Sequence, residues 1–214
     1  MKTLALYNLK GGVGKTAASV NLAYLAALSG RRVLLWDLDP QGASTYYFRI
    51  KPHVDTAPKG LLKKKGEFPE HIRGTDYERL DLVPADFSYR QMDVTLGGMK
   101  KAEQRIARLI EPLGDYYDVI FLDCPPSISM TSEAVFTAAQ VLLVPVIPTT
   151  LSLRTLEQLR AHLDRSGLAE MSVWPFFSMV DRRKKLHLEA MEGAPESEGD
   201  FLSHMIPSAS EIER

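Results

Sequence analysis

Lys10-Gly11-Gly12-Val13-Gly14-Lys15-Thr16 follows an apolar run, Leu4-Ala5-Leu6-Tyr7, and opens an alanine-rich stretch of helical character. Glycines leave the backbone free to curl, so successive N–H groups can point inward at an anion, and a helix starting there adds its positive end. Lys15 supplies a charge for β- and γ-phosphates, and the Thr16 hydroxyl is a magnesium ligand. The strict pattern GxxxxGK[ST] fails at its first position, which is Leu9. A second lysine, Lys10, stands at the start of the loop instead. A phosphate already cradled by Lys15 gains little from another cation in the same loop, so Lys10 points to a separate task.

This loop resembles the deviant Walker A sequence of the ParA/MinD family of ATPases, where the early lysine is called the signature lysine. The resemblance implies ATP and magnesium as cofactors, nucleotide contacts from Lys10, Gly11, Gly12, Val13, Gly14, Lys15, Thr16 and Ala17, and slow hydrolysis stimulated by a partner protein. It also implies a nucleotide-sandwich homodimer in which Lys10 reaches across to the other copy's phosphates. Ala17 stands where that family usually has a second threonine, which removes a hydroxyl and leaves the backbone N–H intact.

Outward from the loop, Arg32 to Asp37 reads as a strand whose core, Val33-Leu34-Leu35-Trp36, is apolar without alternation, as a strand buried on both faces should be. Asp37-Leu38-Asp39-Pro40-Gln41 closes it. Two carboxylates at i and i+2 on an extended end point the same way, and ligands of such sheets collect at the carboxyl ends of strands. By the resemblance this is the Walker A′ segment: Asp39 positions or activates the attacking water, and Asp37 lies near the magnesium. Val119-Ile120-Phe121-Leu122-Asp123 ends as a Walker B strand does, with Asp123 holding magnesium through water. Cys124-Pro125-Pro126 then forces the chain out of the sheet, and Cys124 reads as a packed small residue. The catalytic set expected is Lys10, Lys15 and Asp39, and the metal set Thr16, Asp37 and Asp123.

The remaining pattern alternates strand and helix, which indicates an α/β fold with a mostly parallel sheet flanked by helices on both faces. Leu4 to Asn8 reads as the first strand and Lys15 to Ser29 as a helix, with Val20, Ala23, Tyr24 and Ala27 on its buried face. Leu80 to Pro84, Val141 to Val146 and Val173 to Val180 read as further strands. Helices are expected over Met99 to Ile110, Thr131 to Ala139, Ser152 to Ser166 and Leu186 to Met191. Between Ile50 and Arg79, prolines and glycines break the pattern into a surface excursion with a short helix. An acidic loop over Glu196 to Asp200, a short strand over His204 to Pro207 and a helix from about Ser210 complete the reading.

The 214 residues suit one domain, with 45% apolar and 25% charged residues, ordinary for a globule. A net charge of −1 means that any nucleic-acid contact must come from a local patch. The single cysteine excludes a disulfide framework, fits a reducing cytosol, and argues against iron–sulfur chemistry, which needs several thiolates. No apolar run approaches a membrane span, and Met1-Lys2-Thr3 leads straight into a strand without a signal peptide.

Function follows from the resemblance. Its leading reading is a ParA-type positioning ATPase, cytoplasmic and nucleoid-associated. Its ATP-bound homodimer binds DNA without sequence preference, and a ParB-like or cargo-adaptor protein triggers hydrolysis. The cargo could be a plasmid, a chromosome locus, a chemoreceptor cluster or a microcompartment. Arg182-Arg183-Lys184-Lys185 are the candidate DNA contacts, and Pro207 resembles the proline that packs on adenine. The Lys63 to Lys65 run reads as plain surface. A MinD-like membrane switch would need a C-terminal amphipathic helix with lysines and large apolar residues, for which Ser203 to Arg214 is too short and acidic. The P-loop's position near the start argues against a preceding helix-turn-helix, and the C-terminal helix is expected to be short or truncated. A third reading is a metabolic or maturation ATPase sharing the loop.

Overall fold

The computed structural model describes residues 1–51, 58–63, 68–194 and 201–209. In chain order the elements are β1 (Lys2–Leu6), α1 (Lys15–Leu28), β2 (Val33–Asp37), α2 (Ala43–Tyr47), α3 (Pro58–Lys63), β3 (Arg73–Gly74), β4 (Leu80–Val83), α4 (Met92–Gly97), α5 (Arg105–Ile110), β5 (Val119–Asp123), α6 (Met130–Ala138), β6 (Val141–Val146), α7 (Thr150–Arg165), β7 (Ser172–Phe177) and α8 (Lys185–Glu192), with short 3₁₀ turns between several of them. One sheet holds the strands in the order β3-β4-β2-β5-β1-β6-β7. Every pairing is parallel except that of the two-residue β3 against β4.

The apolar strands sort their side chains by the two-residue period. Leu34 and Trp36 of β2, with Ile120 and Leu122 of β5, face a core built against α4, α5, α6 and α7. Val33, Leu35 and Phe121 face the other way, against Ala18, Val20, Ala23 and Ala27 of α1. Helices therefore cover both faces, and a strand run without alternation is what that demands. Tyr24, expected on the buried face of α1, is instead exposed and meets Tyr77 edge-on at 5.0 Å. The helix ends at Leu28, and Gly30 with φ 90° carries the left-handed turn beyond it.

Three expected elements differ. The helix over Met99–Ile110 is a 3₁₀ turn at Ala102–Gln104 followed by α5, because Lys101 sits at φ 55° and breaks the ladder. The strand from Val173 stops at Phe177, where Met179 at φ 57° turns the chain. The strand over His204–Pro207 reduces to one bridge, Val180 to Pro207. That segment closes the free edge of β7: Leu202 N–H donates to the Pro175 carbonyl at 2.8 Å, and Phe201 stacks on Phe177 at 4.3 Å. Pro175 is tolerated there because an edge strand has an unused N–H side. The acidic loop at Glu196–Asp200, the helix from Ser210 and Lys64 and Lys65 of the lysine run lie outside the described residues. Among the described residues no helix is long and apolar enough to cross a membrane.

Leu34 lies fully buried in the middle of β2. Leu34→Ala should therefore cost about 2–5 kcal/mol of stability, read from the denaturant midpoint; a loss below about 1 kcal/mol would show that this face of the sheet is not packed as described.

Candidate active site

The loop from Asn8 to Gly14 leaves β1 and curls back before α1. Gly12 and Gly14 take φ of 68° and 89°, a region that favours glycine. Gly14 is doubly constrained, since a Cβ there would sit 2.9 Å from Ser178 Oγ, at the end of β7. Asn8, which sequence reasoning passed over, fixes the start of the loop. Its buried amide donates to the Pro145 carbonyl at 2.8 Å, and its side-chain oxygen accepts the Lys10 N–H at 2.9 Å. The Lys15 ammonium spans the loop to the Lys10 carbonyl at 3.1 Å. Burial lowers the pKa of Lys15, and the Asp123 carboxylate opposes that shift.

Asp37 and Asp123 end adjacent strands in direct register and are both buried. Two like charges so placed are tolerable only with hydrogen-bond donors aimed at them. Asp37 Oδ2 accepts the Thr45 N–H at 2.9 Å and the Thr45 hydroxyl at 2.8 Å, and Oδ1 accepts the Asp39 N–H at 3.2 Å. Asp123 accepts the Ser19 hydroxyl at 3.1 Å and the Ser44 hydroxyl at 2.7 Å. A bond from the Thr16 hydroxyl also favours its charged form. These donors are not enough to cancel the burial. Desolvation first and the charge of Asp123 second push Asp37 up to about 7. Asp123 is raised chiefly by burial.

Asp39 is half-buried at the mouth, with one oxygen accepting the Gln41 N–H at 2.9 Å. Its charge acts on both Lys15 and Asp123. Cys124 is buried behind Lys15, and desolvation raises its thiol well above the ordinary value, as suits a packed residue. Pro126 lies against the loop, 4.0 Å from where a Gly11 Cβ would be. Lys15, Thr16, Asp37, Asp39 and Asp123 are thus gathered about the carboxyl ends of β2 and β5, beside the loop whose backbone carries Lys10. Pro207 is exposed and bridges Val180, two residues after the Ser178 that packs on Gly14. Of the four basic residues, Arg183 pairs with Asp181 at 2.9 Å and Lys185 with Glu189 at 3.1 Å. Arg182 and Lys184 make no direct ion pair among the described residues, and the Lys184 charge helps to lower Asp181.

The donor set fits a magnesium–nucleotide. The glycine turns open backbone N–H groups to phosphate oxygens, and the Thr16 hydroxyl beside two buried carboxylates is the oxygen environment that magnesium prefers. The residues missed from the sequence are Asn8, Ser19, Ser44, Thr45 and Ser178. Only Ser19 carried a signal, one helical turn beyond Thr16.

The raised Asp37 has a consequence for stability. Its folded pKa, about 7, exceeds that of the unfolded chain, so its contribution is fully present below the ordinary carboxylate range and is lost as pH rises through about 7. Without nucleotide or magnesium, Asp37→Asn should gain on the wild type between pH 5 and pH 8 in urea midpoint. A difference that does not move with pH would refute the assignment.

A family model described as an AAA domain matches residues 1–168. The chain is 33% identical over 199 residues to the sporulation initiation inhibitor protein Soj of Bacillus subtilis, covering 89% of this chain and 78% of that protein. It is 31% identical over 198 residues to a virulence plasmid ParA family protein of Chlamydia psittaci, covering 90% and 74%. Among solved structures, cobyrinic acid a,c-diamide synthase from Mycobacterium smegmatis, with ADP and magnesium, superposes with a TM-score of 0.86 at 26% identity, covering 99% of this chain and 89% of that one. The matched stretch runs through the loop, both carboxylate strands and the helices between them, and the chain belongs to the ParA/MinD family of P-loop ATPases.

Proposed function

We propose that this ATP hydrolase works as a ParA-type positioning protein: two copies close on ATP and magnesium, the dimer binds nucleoid DNA without sequence preference, and a cargo-linked partner protein triggers slow hydrolysis and release. Lys10 carries the reading. Its backbone is fixed by Asn8 and by the Lys15 bond, while its side chain is only half-buried. Among the described residues no carboxylate pairs with it. The anion in its own loop already has Lys15, so a rigidly based second cation at the rim suits the phosphates of a facing copy.

The hydrolysis itself asks for positioning and charge neutralisation more than covalent help. Lys15 neutralises charge on the transferred phosphoryl, and Thr16, Asp37 and Asp123 hold magnesium, which supplies further neutralisation when bound. Asp39 keeps one carboxylate oxygen without a partner among the described residues, available to orient a water. The half-paired basic run supports a DNA surface of modest charge, centred on Arg182 and Lys184, and the exposed Pro207 suits an adenine face.

A second reading, an ATP-dependent synthetase, is favoured by the likeness to the cobyrinic acid diamide synthase. It predicts a small-molecule substrate and no DNA binding.

Light scattering separates the essentials. In an Asp39→Ala background, which should bind nucleotide and turn over poorly, saturating magnesium–ATP should give a dimer mass. Adding Lys10→Ala should return the mass to one subunit while nucleotide stays bound. Equal dimerisation with and without Lys10 rejects its role across the interface. On random-sequence DNA, retention should require ATP and fall steeply with salt, and alanine at both Arg182 and Lys184 should lower the salt slope by about 2. Binding that ignores salt rejects the phosphate contacts of Arg182 and Lys184, and no binding with ATP favours the synthetase reading.

A further inference from the structure

Helix α2 is only five residues long and has no side-chain cap; it begins at Gly42, held at φ 64°. Nothing in its own sequence makes it a stable helix, since isolated helices of this length do not persist in water. What fixes it is a set of bonds to the carboxylates of the site. Thr45 gives both its N–H and its hydroxyl to Asp37 Oδ2, and Ser44 gives its hydroxyl to Asp123 Oδ2 at 2.7 Å. Thr45 Oγ1 in turn accepts the Ala85 N–H at 2.8 Å, just beyond the end of β4. A hydroxyl has one proton, and with Ala85 supplying the bond Oγ1 accepts, that proton is directed at Asp37. The hydroxyl is thus anchored from behind and aimed forward, in a place where both side chains are buried. The same short helix fixes the turn that carries Asp39: Gly42 N–H donates to the Asp39 carbonyl at 2.9 Å, and Tyr46 N–H to the Gly42 carbonyl at 2.9 Å.

We propose that Thr45, with Ser44 beside it, is a positioning residue for ATP hydrolysis: the two hydroxyls hold Asp37 and Asp123 at the orientation that magnesium requires and fix the turn that presents Asp39. The Asp39 half of this inference rests on the reading of Asp39 as the water-orienting group; the metal half does not. A purely structural Thr45 would serve stability alone. A positioning Thr45 sets how much magnesium the site needs.

The two are separable. Thr45→Val keeps the shape and removes the hydroxyl, Thr45→Ser restores it, and Ser44→Ala probes the second carboxylate. The measurements are binding of a fluorescent ATP analogue titrated with magnesium, the same binding in EDTA, kcat and KM for ATP, and the thermal midpoint. Loss of an outer-shell partner commonly weakens a metal by about 10–100-fold. The magnesium needed for half-maximal binding should therefore rise by about 10-fold or more in Thr45→Val. Binding in EDTA should stay as in the wild type, kcat should fall more than KM changes, and Thr45→Ser should return both readouts. Ser44→Ala should raise the magnesium requirement in the same direction, and it carries the test if Thr45→Val does not fold.

A wild-type magnesium requirement in the folded variants overturns the proposal. So does a loss of binding that is equal in magnesium and in EDTA and tracks a lowered thermal midpoint. Asp39→Ala run in parallel keeps the two ideas apart. Normal turnover there rejects the water-orienting role while the magnesium shift of Thr45→Val still stands. A dead Asp39→Ala with an unshifted Thr45→Val rejects this proposal alone.

Discussion

Two carboxylates ending neighbouring strands in direct register, both buried, set the terms for the rest of this site. Burial disfavours the charged form of both, and Asp37 is pushed up to about 7 by desolvation first and by the charge of Asp123 second. The surrounding elements are arranged to contain that tension. Donors arrive from α1 through Ser19, from α2 through Ser44 and Thr45, and from the backbone of Asp39. Together they tether these pieces of chain to the same pair of carboxylates, and all four carboxylate oxygens are used. The carboxylates thus organise the loops around them, apart from any metal they hold.

A second set of constraints places the phosphate loop relative to the opposite half of the sheet. Asn8 binds the carbonyl of Pro145 on β6, and Gly14 is packed so closely on Ser178 that an added Cβ would lie 2.9 Å from its Oγ. From Ser178 the chain turns at Met179 and reaches the Pro207 bridge and the start of α8. The packing contact of the loop and the segment that leads into the basic run are therefore only a few residues apart along the chain.

How much of this could be read from the chain follows from the range of each interaction. The strands of the core announced themselves, because a run such as Val33-Leu34-Leu35-Trp36 has few stable homes other than a sheet covered on both faces. The glycine loop after β1 and the carboxylates Asp37, Asp39 and Asp123 could be placed at strand ends from the sequence, because apolar runs that break at a carboxylate or a glycine mark where a strand stops. Asn8, Ser44, Thr45 and Ser178 were not. Each is a small polar residue whose role depends on a partner far away in sequence, such as Pro145 for Asn8 or Asp123 for Ser44. Helices α2 and α4 escaped for a related reason: they are too short to show a period and are held by tertiary contacts. The misplaced Tyr24 is a period error, and the break at Lys101 reflects a left-handed residue that local propensity does not foretell.

The choice of hydroxyls over cations around the carboxylates has a physical logic. An arginine or lysine paired with Asp37 or Asp123 would neutralise the charge fully and bring its own desolvation cost. The site would then be stable and of little use, since a metal would have to displace a bound cation. Hydroxyl and amide donors lower the cost of the buried charge only in part, leaving a residual attraction for a divalent ion. The Lys15 ammonium donates to the Lys10 carbonyl, and its pKa is lowered by burial. A magnesium–nucleotide bound here would supply the positive charge that these donors do not. On this argument the hydroxyls of α2 favour the metal, because they keep the two carboxylates oriented and bias them toward the charged form without setting a competing cation against them.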